Sequence, residues 1–292
     1  MTIRRVGIVA KQGLVAASEH IVQLGRWLRE RGIETVYERD TASLAGTTEG
    51  AAATLESLPY EVDLIVVLGG DGTLLAMAAR IAQSGRDVPI LGVNFGSLGF
   101  LTEIRIDELM SSMEGVLDGT ATFDARAMLV ADAHRREEHV DSRVVLNDVV
   151  FTKAALSRMI ELSVSVSGGF VTHVKADGLI VASATGSTAY NLAAGGPIVH
   201  PRVDALILTP IAPHTLTNRP VVIPGSATVE VRPHPASVSE DVFVTYDGQS
   251  GYPLQEGTVI RVRKSPRTLR LVTAPARGYF AVLREKLKWG ER

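Results

Sequence analysis

The sequence predicts a fold of class α/β plus all-β, with an N-terminal open parallel, Rossmann-like α/β domain followed by a C-terminal β-sandwich-like domain. Over residues 1–120, short apolar segments alternate with segments of helical period, which is typical of a parallel sheet with helices on both faces. From residue 121, apolar and polar positions alternate in short segments that are separated by Gly, Pro, Asn and Asp, as in an all-β domain. The 292 residues are enough for two domains of about 100–150 residues each.

The first domain begins with a predicted strand at residues 3–10. Apolar residues then recur every three or four positions from Leu14 to Leu28, which predicts a helix that ends at Gly32. Further strands are predicted at residues 33–37, 62–68 and 88–93, and further helices at residues 73–82 and 106–117. Because ligands of such sheets bind at the carboxyl ends of the strands, we expect the functional residues there.

The second domain is predicted to consist of strands. Ile160, Leu162 and Val164 alternate with polar residues, as expected for a strand with one buried face. Similar strands are predicted at residues 221–223, 229–231, 242–246, 259–262 and 269–272. The segment from Tyr279 to Trp289 returns to helical period. We therefore expect three regions: an α/β domain at residues 1–120, an all-β domain at 121–274, and a C-terminal helix at 275–292 that packs back on the first domain.

Composition excludes several classes of function. With 30 basic and 32 acidic residues, the chain has no overall charge suited to nucleic acid or an anionic membrane, so we expect neither as a partner. The absence of cysteine excludes disulfides, thiolate catalysis and cysteine-ligated metals, and the seven histidines lack zinc-ligand spacing. The N-terminal apolar run stops at Lys11, too short for a signal peptide or a membrane span, which predicts a cytoplasmic protein.

A glycine-rich turn after the third strand is the most informative segment of the first domain. The buried-strand pattern from Leu64 to Leu68 ends in Gly-Gly-Asp-Gly-Thr, residues 69–73. Glycines allow positive φ and a close approach of backbone N–H groups to phosphate. Asp71 would repel phosphate, so its presence indicates another role, such as accepting a proton or holding a cation. The alternative is a tight turn with Thr73 capping the helix.

This turn resembles the Gly-Gly-Asp-Gly-Thr motif of NAD kinases, diacylglycerol and sphingosine kinases, and related phosphofructokinases. The motif alone does not choose among them. The chain lacks Gly-x-x-x-x-Gly-Lys-Ser/Thr, so a P-loop mechanism is not supported.

A second block runs from Lys175 to Pro197, where a short strand is followed by hydroxyl-bearing and small residues and a brief helical turn. Hydroxyls and backbone donors can hold a ribose and a pyrophosphate, although a capped Ser/Thr-rich loop would have the same composition. The block resembles the NAD kinase motif Asp-Gly-Leu-Ile-x-x-x-x-Thr-Gly-Ser-Thr-Ala-Tyr, which lipid kinases and phosphofructokinases do not share. Further matching segments lie at residues 94–101, 146–150, 208–220 and 247–249.

The resemblance implies roles for individual residues. Asp71 stands at the position of the family's general base, with Gly72 beside it at the dinucleotide. Asn147 and Asp148 match a pair that hydrogen-bonds NAD, and Asp177 matches another carboxylate that contacts it. The loop that lines the dinucleotide pocket would comprise Thr188, Ala189, Tyr190, Asn191, Leu192 and Ala193. Two further NAD-binding candidates are Lys175, where many members carry arginine, and Gln249, which lies in a short match.

The resemblance implies transfer of the terminal phosphoryl group of ATP or polyphosphate to the 2′-hydroxyl of the adenosine ribose of NAD, giving NADP. It also implies a divalent cation, Mg²⁺, with no metal ligands assigned, and a homodimer or homotetramer. Lipid kinases, phosphofructokinases and a non-catalytic dinucleotide sensor stay as alternatives, although the sensor would be expected to lose Asp71. His214 lies in the segment matched at residues 208–220 and receives no catalytic role.

Overall fold

The computed structural model describes residues 2–47, 50–96, 98–153, 159–215, 217–234, 242–274 and 277–289. The chain forms two compact units, one of Met1–Ala125 with Leu269–Arg292 and one of Arg126–Thr268. The domain bounds predicted from the sequence, 1–120, 121–274 and 275–292, stay a prediction. We describe the two units separately.

The first unit contains an open parallel sheet, which confirms the predicted α/β architecture. Its strands are β1 (Arg5–Ala10), β2 (Glu34–Glu38), β3 (Ala51–Ala53), β4 (Leu64–Gly69), β5 (Ile90–Asn94) and β6 (Ile104–Arg105). The strand order is β5-β4-β1-β2-β3 with parallel pairing throughout, and β6 pairs with β5. The most apolar strand, β4, therefore lies inside the sheet, where all six of its residues are buried.

Helices cover this sheet because each presents an apolar face to it. The helices are α1 (Ser18–Glu30), α2 (Arg39–Ala45), α3 (Leu58–Glu61), α4 (Asp71–Ser84) and α5 (Leu109–Leu117). Ile21, Leu24 and Leu28 of α1 are fully buried in one core with Ile8 and Val66 of the sheet. Burial of such a side chain stabilises the fold by about 1.5–3 kcal/mol.

The second unit is antiparallel β structure, as its sequence pattern predicts. Its strands are β7 (Phe123–Arg135), β8 (Glu138–Val145), β9 (Asp148–Lys153), β10 (Ile160–Val166), β11 (Gly169–Ala176), β12 (Gly178–Ser183), β13 (Ala205–Ile211), β14 (Val221–Pro224), β15 (Thr228–Pro233), β16 (Val242–Tyr246), β17 (Ser250–Pro253) and β18 (Thr258–Val272). The first three residues of β7 and the last four of β18 belong to the first unit. A six-stranded sheet has the order β14-β13-β12-β9-β16-β17, and β11-β10-β15-β18 form another run of paired strands. The two sets share one apolar core, which contains Phe151, Leu162, Val181 and Val231.

A short helix, α6 (Tyr190–Ala193), follows a 3-10 turn at Thr185–Thr188 in the second unit, and α7 (Tyr279–Leu287) belongs to the first unit. Arg277, just before α7, donates from Nη1 to the Glu103 carbonyl at 2.9 Å and from Nη2 to Glu108 Oε1 at 2.8 Å. These bonds fix the segment before α7 to the chain that follows β5. Across the described ranges, every helix is too short or too polar to cross a membrane.

Candidate active site

Asp71 is placed by the junction of β4 and α4. Gly70 precedes α4 as its N-cap residue, and Asp71 is the first residue of the helix. The sequence suggested positive φ for these glycines, but Gly69, Gly70 and Gly72 do not have it. Gly69 is needed for close packing instead, because a Cβ there would lie 2.8 Å from Thr73 Oγ1. The turn therefore presents the Asp71 carboxylate at the carboxyl end of an interior strand.

The Asp71 carboxylate is held by the loop that follows β5. Oδ2 accepts a hydrogen bond from the Phe100 N–H at 2.9 Å. Oδ1 accepts from the N–H groups of Leu101 at 3.2 Å and Thr102 at 3.0 Å, and from Thr102 Oγ1 at 2.9 Å. Four donors thus fix the orientation of one carboxylate.

Gly99 allows this loop to approach the carboxylate. A Cβ at residue 99 would overlap both Asp71 Oδ1 and Thr102 Oγ1. Although these atoms are at the ends of side chains, they are hydrogen-bonded to each other, so neither moves without breaking that bond. The geometry therefore requires glycine at residue 99.

We expect Gly99→Ala to lower the rate of phosphoryl transfer about tenfold or more, because the methyl group displaces the carboxylate and about 1.5–3 kcal/mol of charged hydrogen bonding is lost. Steady-state kinetics measures the effect. Gly278→Ala is the matched control, since a Cβ there meets nothing within 4 Å. Wild-type turnover in Gly99→Ala would contradict the required close approach.

In the second unit, a buried carboxylate organises the chain around Asn147. Asp247 accepts hydrogen bonds from the N–H groups of Leu146 and Asn147, both at 2.7 Å, and of Asp148 at 3.0 Å. Ser183 Oγ donates to the Leu146 carbonyl at 2.6 Å and accepts from the Gly186 N–H at 3.0 Å. These bonds fix the backbone on both sides of Asn147, which is itself 8% exposed.

Asp148 and Asp247 form a pair of buried carboxyl groups. Burial and the neighbouring Asp247 charge raise the pKa of Asp148 from 3.8 to about 7. Burial also raises the pKa of Asp247, although its three backbone N–H donors act in the opposite direction. Because these donors favour the charged form of Asp247, Asp148 is the member of the pair that holds the proton.

This pair makes folding stability depend on pH. Between about pH 4 and 7 Asp148 is protonated in the folded chain and ionised in the unfolded chain, so the free energy of unfolding falls as pH rises. Asp148→Asn has no carboxyl group to titrate here, so this fall in stability disappears. The stability of the variant relative to wild type should therefore rise with pH by up to roughly 1.4 kcal/mol per pH unit across that window.

Urea unfolding at several pH values measures this difference. The control is Asp118→Asn, which removes an exposed carboxyl group. A constant difference between Asp148→Asn and wild type from about pH 4 to 8 would contradict the raised pKa.

The loop that the resemblance assigns to the dinucleotide pocket has both exposed and buried members. Tyr190 is 44% exposed, whereas Asn191 is fully buried. Asn191 Nδ2 donates to the Ser187 and Pro197 carbonyls, and Asn191 Oδ1 accepts from Thr209 Oγ1 at 2.6 Å. The Asn191 side chain therefore holds the loop together. The partly exposed or exposed members are Thr188, Ala189, Leu192 and Ala193.

The charged candidates of the second unit make ion pairs within that unit. Lys175 lies opposite Glu161 on neighbouring strands, with Nζ 3.8 Å from Oε1, and its side chain is 55% exposed. Asp177 forms a salt bridge with Lys153, with Oδ1 2.8 Å from Nζ. His214 donates its backbone N–H to the Lys175 carbonyl. Gln249 is exposed in the turn between β16 and β17.

The sequence candidates thus fall into two sets. Asp71 and Gly72 lie in the first unit, and all the others lie in the second. Sequence reasoning missed four residues that support these sets: Gly99, Thr102, Ser183 and Asp247. A signal existed for Asp247, which opens the matched Asp-Gly-Gln segment. Within the described ranges, no group of three or more His, Asp or Glu side chains is arranged to hold a metal ion.

Known proteins are similar to nearly the whole length of this chain. The chain is 45% identical over 293 residues to the NAD kinase of Geotalea daltonii, covering 99% of this chain and 100% of that protein. It is 48% identical over 270 residues to the NAD kinase of Geobacter metallireducens, covering 92% and 93%.

Two solved structures show the same fold. Yeast NADH kinase complexed with NADH has a TM-score of 0.90 at 24% identity, covering 100% of this chain and 89% of that one. An Archaeoglobus fulgidus NAD kinase in complex with ATP has a TM-score of 0.76 at 24% identity, covering 96% and 99%. The ATP-NAD kinase N-terminal domain model matches residues 6–121, and the ATP-NAD kinase C-terminal domain model matches residues 146–274. This chain belongs to the NAD kinase family.

Proposed function

We propose that this enzyme transfers the terminal phosphoryl group of ATP to the 2′-hydroxyl of the adenosine ribose of NAD. The hydroxyl oxygen forms a bond to the terminal phosphorus as the bond from that phosphorus to the bridging oxygen of ATP breaks. The products are NADP and ADP. The hydroxyl proton passes to Asp71, which acts as the general base.

The hydrogen bonding of Asp71 supports its role as the base. Because four donors hold the carboxylate in a single orientation, it is pre-organised to accept a proton. Its position at the carboxyl end of β4 is where open α/β sheets place ligands. This held carboxylate is the observation that carries the proposal.

We assign NAD binding to the candidates of the second unit together with Gly72. Asn147 and Asp148 would hydrogen-bond the dinucleotide from a backbone that Asp247 and Ser183 hold rigid. Tyr190, half-exposed on α6, would contact it from the loop. The Asn191 side chain is already engaged inside the protein, so we assign it to the support of the loop.

A divalent metal accompanies ATP in this family's reaction, and we propose Mg²⁺. Mg²⁺ usually keeps several waters and binds substrate phosphates, so one or two carboxylates are enough to hold it and no cluster of three protein ligands is needed. When bound, it would neutralise charge on the phosphates. A homodimer or homotetramer and a cytoplasmic location stay predictions. Light scattering of the purified chain measures the oligomeric state.

Membership of the NAD kinase family decides against the lipid kinase and phosphofructokinase alternatives. The remaining alternative, a dinucleotide sensor without activity, would keep the NAD affinity and lose the chemistry. An assay of turnover separates these two functions.

The experiment is an assay of the purified full chain with NAD and either ATP or polyphosphate, with and without Mg²⁺. An NADP-specific dehydrogenase measures the product. We expect NADP with ATP, and loss of the activity when a chelator removes the metal. Diacylglycerol as acceptor is the negative control. NAD binding without NADP formation under any donor would overturn the proposal in favour of a sensor.

A further inference from the structure

We propose that Thr102 is a positioning residue that holds Oδ1 of Asp71, so that Oδ2 is the oxygen that accepts the substrate proton. This inference rests on the proposed function, because it assigns a task to each oxygen of the proposed base. Thr102 lies in the loop after β5 and is fully buried.

The two oxygens of Asp71 have different surroundings. Oδ1 accepts three hydrogen bonds, two of them from Thr102 through its N–H and its hydroxyl. Within the described residues, Oδ2 accepts one, from the Phe100 N–H. A carboxylate oxygen offers about two lone-pair sites, so Oδ1 is saturated while Oδ2 keeps a site for one more donor. The substrate hydroxyl is that donor.

Asn94 sets the direction of the Thr102 hydroxyl. The Asn94 carbonyl oxygen Oδ1 accepts from the Gly96 N–H at 2.6 Å, which orients the amide. The opposite end, Nδ2, then donates to Thr102 Oγ1 at 3.0 Å. Since the threonine oxygen accepts from Asn94, its single hydrogen points to Asp71 at 2.9 Å. The hydrogen bonds from Asn94 to Thr102 and from Thr102 to Asp71 therefore all donate in the same direction, toward the Asp71 carboxylate.

The arrangement joins two neighbouring strands of the sheet. Asn94 ends β5, and its register partner is Gly69 at the end of β4, two residues before Asp71. Asn94 is 8% exposed, so its amide is held inside the protein. The pairing of β4 with β5 therefore fixes the separation of Asn94 and Asp71, which Thr102 bridges. The base is thus pre-organised before substrate binds.

The test compares Thr102→Val with Thr102→Ser. Valine keeps the size and removes the hydroxyl, whereas serine keeps it. We expect Thr102→Val to lower kcat about tenfold with KM for NAD within about twofold of wild type, because one of the charged hydrogen bonds on the base is lost. Thr102→Ser should restore kcat.

Thr41→Val is the matched control. Thr41 is a buried threonine of the same unit that also bridges a carboxylate, accepting from the Ala10 N–H at 2.8 Å and donating to Glu38 Oε2 at 2.9 Å. Its loss should reduce stability and leave kcat within about twofold of wild type. A Thr102→Val kcat that matches the Thr41→Val kcat would overturn the inference and leave the proposed function intact. Absence of NADP formation by wild type, or full activity of Asp71→Asn, would instead show that the proposed function has failed.

Discussion

Asp71→Asn should reduce the rate of phosphoryl transfer by about 10²–10⁴-fold, because the amide cannot accept the proton of the 2′-hydroxyl. The change is nearly isosteric. Single-turnover kinetics with saturating NAD and ATP measures the chemical step, and calorimetry measures NAD affinity separately. We expect NAD to bind the variant with little change.

The hydrogen bonds at Asp71 also predict how this variant changes the stability of the fold. The asparagine oxygen can take the place of Oδ1 opposite its three donors, but the amide NH₂ then faces the Phe100 N–H, which is also a donor. The variant should therefore lose about 1–3 kcal/mol of stability, which unfolding with urea measures. Retention of more than about a tenth of the wild-type rate would remove Asp71 from the role of base.

Gly186→Ala is expected to have the second largest effect, acting through structure. A Cβ at Gly186 would overlap the carbonyl oxygen of Asn147 and lie 2.6 Å from its carbonyl carbon and 2.7 Å from its Cα. These are backbone atoms, which cannot turn aside as a side chain can. Overpacking typically costs about 1–3 kcal/mol, and we expect at least that loss of stability here.

The same substitution should weaken NAD binding, because the backbone of Asn147 must shift. Calorimetry with NAD and thermal unfolding measure the two effects. The control is Gly169→Ala in the same unit, where a Cβ makes only an ordinary contact with Val166 O at 3.4 Å. If Gly186→Ala bound NAD as tightly as wild type, the Asn147 segment would not belong to the binding site.

The local sequence pattern was enough to predict strands that are either wholly buried or buried on one face. The apolar run before Gly69 is β4, and the alternation from Ile160 to Val166 is β10. The hairpin of β7 and β8 was not predicted, because β8 is largely exposed and polar, so it carries no apolar period. The strand β3 was missed because its three alanines have low strand propensity.

The candidate site shows a similar division. Asp71 and Asn147 could be chosen from motifs because each lies within a short matched segment. Thr102 could not, since it is 31 residues from Asp71 along the chain and meets it only through the sheet. The raised pKa of Asp148 likewise depends on its burial and on the neighbouring Asp247, both of which are set by tertiary structure.

Each of the carboxylates Asp71 and Asp247 binds three consecutive backbone N–H groups, those of residues 100–102 and of residues 146–148. Main-chain donors belong to every residue type except proline. Substitution of the side chains at such positions therefore leaves the donors in place, and Phe100 can change its chemistry without weakening the hold on Asp71. The residue type is then fixed only where a side chain has a role of its own, as at Thr102 and Asn147, and Phe100 is free to diverge.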